Sequence, residues 1–313
     1  MRVSVPTTRL CLLTTSCVLL GLSSRTAGFV AVSPPATSGS RGIILSSFST
    51  EGGQSTVRGR SSRGLSMAAD AGSYPKGVKP LGGGGNSRPK LWIYDHCPYC
   101  VRPRMVFGLK GIVHDLVYLS NDDVETPTSM MGKKVVPILE LGRGTENHEV
   151  MIESLDIVRR LDEDPAFGPP ALAPATGRTD VDEWVNANAM SMRRLLRPRH
   201  AVTPLPEFQT RSATEAFIRN HPLPDPSSYE ENLKNSPKLI EELESALWKL
   251  EAMIGSRDSL SADGKLSYDD ISFFPRMRGL TIVQGLGIPP KLRAYLDSVS
   301  ERTDIPLHDK IAS

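Results

Sequence analysis

Residues 90–105, KLWIYDHCPYCVRPRM, decide the fold of this 313-residue chain. A short apolar run, Leu91, Trp92 and Ile93, stops at two cysteines separated by Pro98 and Tyr99. What such a pair can do depends on the other sulfurs available, and the chain holds 4 cysteines in all. Cys11 and Cys17 lie in LCLLTTSCVLLGL, residues 10–22, which follows Arg2 and Arg9 and precedes the small residues Ala27 and Gly28. That order of charge, apolar core and small residues is signal-peptide architecture. A spanning helix needs about 20 apolar residues, and this run is shorter and broken by Thr14, Thr15 and Ser16, so a signal anchor is the lesser reading. Once a leader of residues 1–28 is removed, Cys97 and Cys100 are the thiols that remain.

Residues 29–66 are rich in Ser, Gly and Arg and contain one acid, Glu51, a composition suited to a transit peptide. The joint TAGFVAVSPP, with Phe29 just after the expected cleavage point, resembles the bipartite plastid leaders of algae whose plastids arose by secondary endosymbiosis. The resemblance implies a plastid destination through the secretory route; a secreted protein with a propeptide is the alternative. Residues 1–70 hold seven arginines and two acids, which leaves 30 basic and 33 acidic side chains in the other 243 residues. The apparent basicity therefore belongs to the leader. The mature part has no lysine or arginine run with interleaved aromatics, so nothing points to nucleic acid, and nothing after residue 30 approaches a membrane span. LGGGGNS, residues 81–87, is a flexible linker by composition, since no Gly-Lys-Ser/Thr follows to make it a phosphate loop. The folded part is expected from about residue 89, and the roughly 220 residues that remain suffice for two modest domains.

The first domain, residues 89–165, reads as an α/β layer. After the strand of residues 90–94 comes a helix to about residue 109. GIVHDLVYL, VVPILEL and NHEVMI then give three more strands, with a brief helix inside NDDVETPTSMMGKK. ESLDIVRRLDED resumes a helical period through Leu155, Ile157, Val158 and Leu161. The second domain, residues 176–310, reads as all helical. In NSPKLIEELESALWKLEAMIG, Ser236 is expected as cap, Pro237 at the first helical position and Gly255 as terminator. Leu239, Ile240, Leu243, Leu247, Leu250 and Ile254 form one apolar face. Ser267 and Asp270 form a capping box for the helix of LSYDDISFFPRM, with Leu266 able to staple against Ile271.

Cys97 closes a strand and opens a helix, where free N–H groups and the positive end of the dipole favour a thiolate. A free thiol has a pKa near 8.5, whereas Cys-x-x-Cys thiols at helix starts fall to about 3.5–7. Cys97 is the expected nucleophile. Cys100, one turn later, is placed to attack a mixed disulfide formed at Cys97 and release its partner. A structural zinc needs four ligands, and His96, His114 and His148 come with no second paired motif. Haem attachment fails because Val101 rather than His follows Cys100. A passive disulfide is the remaining alternative, and the α/β context favours redox chemistry over it. Arg102 and Arg104 are candidates for lowering the Cys97 pKa or for facing solvent, and Pro103 removes a backbone donor inside the helix.

YDHCPYC, VPILE, ESLDIV and LSYDDISFFPRMRGLTIV, in that order and spacing, resemble the glutaredoxin 2 family, from about residue 90 to residue 307. The resemblance implies a thioredoxin-like N-terminal domain and an all-α C-terminal domain in a glutathione-transferase-like fold. It also implies glutathione as reducing co-substrate, because thioredoxins usually carry Gly-Pro where this chain has Pro98 and Tyr99. It further implies a cis Val136-Pro137 step that pairs with the cysteinyl unit of glutathione. Glu153 and Ser154 would hold the γ-glutamyl end, the alternative being that Ser154 only caps its helix, and Tyr99 and Lys134 would be further glutathione contacts. Lys133 or Lys134 would neutralise the glycine carboxylate, the alternative being that both are solvated loop lysines. No metal is expected, and the protein is expected to be a monomer acting on disulfide-containing or glutathionylated proteins. The proline-rich residues 205–232 are expected to shape partner surfaces more than chemistry.

Three functions remain open on the sequence. The first is a glutathione-dependent thiol-disulfide oxidoreductase using Cys97 and Cys100. The second is a glutathione transferase or dehydroascorbate reductase using Cys97 alone. The third is a non-catalytic adaptor. Retention of Cys100 separates the first from the others.

Overall fold

The apolar run before the cysteines is an inner strand of a four-stranded sheet, and the helix that follows is wrapped by the rest of the chain. The computed structural model describes residues 88–224 and 227–313. The expected signal peptide, transit peptide and glycine linker lie outside the described residues. Strand β1 (Lys90–Ile93) pairs in parallel with β2 (Asp115–Tyr118) and antiparallel with β3 (Ile138–Leu141), which pairs antiparallel with β4 (Glu149–Met151). The spatial order is β2-β1-β3-β4. Between β1 and β2 runs α1 (Pro98–Leu109), between β2 and β3 the short α2 (Glu125–Met131), and after β4 comes α3 (Ser154–Glu163). The strands are shorter than the apolar runs that mark them, and Val136-Pro137 stands just outside β3 because proline has no N–H to give a ladder.

Helix α1 packs against α3 on one side and against two helices of the C-terminal half on the other. Being covered on several sides, it is buried from Cys100 to Phe107 rather than along one stripe. Arg102 and Arg104 are carried inward with it, and neither faces solvent. At its end, a Cβ on Gly108 would lie 1.8 Å from the Thr303 carbonyl oxygen, so only glycine allows this approach. Helix α3 shows the expected stripe: Ile157, Val158 and Leu161 are buried and Leu155 is half-buried. Lys110 closes the C-terminal end of α3, its Nζ donating to the carbonyls of Leu161 and Asp162 at 2.8 and 2.7 Å.

The C-terminal half contains α4 (Asp180–Val202), α5 (Arg211–Asn220), α6 (Tyr229–Lys234), α7 (Ser236–Glu251), α8 (Tyr268–Leu280) and α9 (Pro290–Thr303). Leu239, Leu243, Leu247 and Leu250 are buried along α7, and Trp184 Nε1 of α4 donates to the Ala246 carbonyl at 3.0 Å. Ser236 does not cap α7. The helix takes it as its first residue, Asn235 stands at the cap position, and the Ser236 hydroxyl donates to the Asn232 carbonyl. The helix also ends at Glu251, before Gly255. The capping box of Ser267 and Asp270 forms as expected at the start of α8, with Leu266 and Ile271 both buried.

Candidate active site

Cys97 is the N-cap of α1 and Pro98 opens the helix, so the chain turns directly from β1 into a helix start. The Cys97 carbonyl accepts from the N–H groups of Cys100 and Val101, at 3.0 and 3.2 Å. Both thiols are free; Cys97 is partly accessible and Cys100 fully buried. Their environments push them apart. A hydrogen bond from the Cys100 thiol brings Cys97 down to about 7 against the effect of burial. The His96 charge and the N–H groups of Cys100 and Tyr99 add to the fall. Burial pushes Cys100 well above an ordinary thiol, and the neighbouring Cys97 sulfur raises it further. One thiol is thus half ionised near neutrality while the other stays protonated, which is the difference an attacking and a resolving sulfur need.

Register brings the other sequence-predicted residues to the same end of the sheet. Trp92 pairs with Ile138, so one step further along β1 the row meets Pro137, and beyond it Val136. Leu139 pairs with Met151, so the same extension sets Glu153 beside Pro137. The end of β1 that leads to Cys97, the start of β3 and the end of β4 therefore share one edge. The Val136-Pro137 peptide is cis. Glu153 has φ 70°, in the region that side chains rarely adopt, and is exposed as the N-cap of α3.

Ser154 is buried, and its hydroxyl accepts from Arg102 Nη1 at 3.1 Å. The Arg102 guanidinium also lies 4.9 Å from the Tyr99 ring centre, and Tyr99 itself is 51% exposed. An unbroken line of contacts thus runs from Ser154 through Arg102 to the turn that holds Cys97. Lys134 donates to the Asn121 carbonyl, and Lys133 is exposed. Among the described residues, no group of three or more His, Cys, Asp or Glu is arranged to hold a metal ion, and no helix is long and apolar enough to cross a membrane.

Sequence reasoning missed the anchoring of the loop that carries Cys97. Asp95 is buried and takes Arg104 Nη1 at 2.7 Å, Arg278 Nη2 at 3.0 Å and His308 Nε2 at 3.1 Å, while Arg278 Nη1 donates to its carbonyl. Burial raises the Asp95 carboxyl, but the His308 hydrogen bond and the charges of Arg278 and Arg104 hold it far below the usual range. His96 reaches Glu207 Oε1 with both its backbone N–H, at 3.0 Å, and its ring Nδ1, at 2.5 Å. Glu207 belongs to residues 205–232, so that stretch reaches the chemistry as well as the surface. Apart from Asp95 and Arg104, which are 9 residues apart, the members of these pairs lie 111 to 213 residues apart, and no local signal marks them.

The paired thiols at a strand-to-helix turn, on a small α/β sheet joined to a helical half, define a two-domain thiol-disulfide oxidoreductase with a glutathione-transferase-like fold. Residues 180–312 match the family model of the glutaredoxin 2 C terminal domain, and residues 91–170 match that of the glutathione S-transferase N-terminal domain. Glutaredoxin 2 of Escherichia coli strain K12 is 37% identical over 225 residues, 71% of this chain and 99% of the relative. Glutaredoxin 2 of Salmonella typhimurium, solved in complex with glutathione, superposes with a TM-score of 0.66 at 37% identity, over 72% of this chain and 100% of that one. A glutathione transferase of Phanerochaete chrysosporium shares the fold at a TM-score of 0.51 and 15% identity, over 69% of this chain and 97% of that one. The chain belongs to the glutaredoxin 2 family and is, with it, a glutathione-dependent oxidoreductase.

Proposed function

We propose that the chain reduces protein disulfides and glutathione mixed disulfides through a dithiol cycle at Cys97 and Cys100. The observation that carries this is the placement of the two free thiols, Cys97 partly accessible as the N-cap of α1 and Cys100 fully buried one turn on, a difference in burial that pushes their ionisation apart. The Cys97 thiolate attacks one sulfur of a client disulfide; a Cys97–client bond forms and the other client sulfur leaves as a thiolate that takes a proton from water. Cys100 is then easier to ionise. Burial still opposes it, but the hydrogen bond and the negative charge of the Cys97 thiolate, which also hold it up, vanish once Cys97 is disulfide-bonded. The Cys100 thiolate attacks Cys97, freeing the reduced client and leaving a Cys97–Cys100 disulfide. One glutathione thiolate opens that disulfide at Cys97, a second attacks the glutathione sulfur, and oxidised glutathione departs as the dithiol returns. Two electrons pass from two glutathiones to one client disulfide.

The shared edge of the sheet supports a seat for glutathione there. The backbone of Val136, before the cis Pro137, faces the cysteinyl unit, and Tyr99 borders it. Exposed Glu153 holds the γ-glutamyl ammonium, and the Ser154 hydroxyl with the first N–H groups of α3 takes its carboxylate. Lys134 serves the glycine carboxylate by exchanging its bond to Asn121. Cys97→Ser is expected to abolish all turnover, because a serine hydroxyl is not ionised at neutral pH. Cys100→Ser should lose protein-disulfide reduction and keep deglutathionylation. Full protein-disulfide reduction by Cys100→Ser would instead favour a single-cysteine transferase or dehydroascorbate reductase.

The same proposal includes a destination. The apolar segment of residues 10–22, the acid-poor extension of residues 29–66 and Phe29 at the joint support entry into a plastid through the secretory route.

A further inference from the structure

His96 stands immediately before Cys97, yet its ring is enclosed chiefly by the helical half. It stacks on Tyr94 at 5.8 Å and on Phe208 at 5.3 Å, meets the edge of Phe217 at 5.1 Å and tilts against His200 at 5.0 Å. One polar partner enters this apolar box, the Glu207 carboxylate, which is 0% exposed. Glu207 is itself fixed, because it sits in the Pro206–Phe208 turn and its carbonyl accepts from the Asn121 N–H at 3.0 Å. Its second carboxylate oxygen is buried with no partner among the described residues.

An ionised carboxylate enclosed in this way is strongly disfavoured unless a charge answers it. The titratable groups facing His96 are Tyr94, Asp95 and Cys97 on its own loop, His200 of α4, Glu207, and His221 at the end of α5. Burial pushes the Tyr94 phenol up and the His200 and His221 imidazoles down, so all three are neutral near pH 7. Asp95 is already answered by Arg104 and Arg278. That leaves His96 as the group that answers Glu207. Burial opposes a proton on His96, but the Glu207 hydrogen bond and charge outweigh it and raise the ring above its ordinary value, while Glu207 is held below its own.

We propose that His96 and Glu207 form a buried imidazolium–carboxylate pair that positions a fixed positive charge beside the Cys97 sulfur. The helical half thereby takes part in activating a thiol that belongs to the other half. The His96 charge is among the influences that lower the Cys97 thiol, whereas the Glu207 charge bears on the buried Cys100, which it raises, so the pair acts on the attacking sulfur through its positive member. Glu207 acts here as a positioning residue, through His96, and touches no substrate. The inference rests on Cys97 as the attacking sulfur.

The test is the pH profile of iodoacetamide alkylation of the reduced full chain, with the labelled cysteine located by mass spectrometry. The parent protein should be labelled at Cys97 with half-maximal rate near pH 7. Glu207→Gln and His96→Gln should each shift that midpoint upward by about one unit or more. The double variant should shift no further than His96→Gln alone, because Glu207 works through His96. Label on Cys97 with a Glu207→Gln profile that matches the parent, in a variant that unfolds cooperatively on heating, would overturn the pair and leave the Cys97 reading standing. First label on Cys100 would overturn both. If Glu207→Gln does not fold, nitrogen-15 NMR of the parent decides: on raising the pH both His96 ring nitrogens should still carry protons where an ordinary histidine has lost its charge, and a His96 ring that is neutral there would overturn the pair.

Discussion

Arg278 of α8 and Asp95 of the active-site loop meet at 3.0 Å in the interior, 183 residues apart in the chain. The arginine is 2% exposed and also donates to the Asp95 carbonyl and to that of Pro306. Two residues before Cys97, the loop is thus bolted to the helical half by backbone and side chain together. The two halves of the chain meet at the loop that carries this thiol.

Asp95→Asn should destabilise the fold by about 3–5 kcal/mol, because it leaves Arg278 and Arg104 buried without an answering charge. Denaturant unfolding of parent and variant measures this. The Asp95 carboxyl is depressed in the fold from the ordinary 3.8, so its stabilisation is present above that value and is lost as pH falls below it. The gap between parent and variant should be constant through neutral pH and narrow below about pH 4. A gap that stays constant well into acid would contradict this assignment of charge.

Glu153→Ala combined with Ser154→Ala should raise the glutathione concentration needed for half-maximal activity, by roughly tenfold to a hundredfold if one charge-assisted contact of about 1.5–3 kcal/mol is lost. Glu153 is exposed and tolerates the change, while loss of the buried Ser154 hydroxyl frees Arg102. Steady-state kinetics against glutathione is the measurement. An unchanged requirement would reduce Ser154 to a partner for Arg102.

Much of this fold was legible because its signals are local. Cys97 and Cys100 sit where a short apolar run gives way to a helix. The strands alternate with helical periods at short spacing, and Ser267 with Asp270 marks a helix start within four residues. The placement of the candidate residues was legible too: Cys97 at a helix start, and Val136, Pro137 and Glu153 at the sheet edge it shares. The anchors of the loop before Cys97 were not, because a buried Asp95 or Glu207 carries no periodicity, and Arg278 and His308 for the one and His96 for the other lie more than a hundred residues away. Helix boundaries slipped for a related reason: Ser236 can cap or back-bond to Asn232, and Arg199, which donates to its hydroxyl at 3.0 Å, comes from another helix.

Cys100→Ala should raise the Cys97 pKa from about 7 toward that of an ordinary thiol, since the Cys100 hydrogen bond is the leading cause of its fall. Cys100→Ser keeps a donor and should raise it less. Thiolate absorbance against pH reads both. Equal profiles for the alanine and serine variants would remove the hydrogen bond from the explanation.

A fluorescent reporter fused to residues 1–70 should reach a plastid after passing the secretory route in an alga with a secondary plastid, and Phe29→Ala should misroute it. Retention in the cytosol would contradict the leader assignment.

The most direct test of the central claim is to trap the covalent intermediate. Reduced Cys100→Ser protein is mixed with oxidised glutathione and digested without reductant, and the adduct is located by mass spectrometry. The account predicts one glutathionyl group on Cys97 that excess reduced glutathione removes. An unmodified Cys97 in a variant that still deglutathionylates substrate would contradict it.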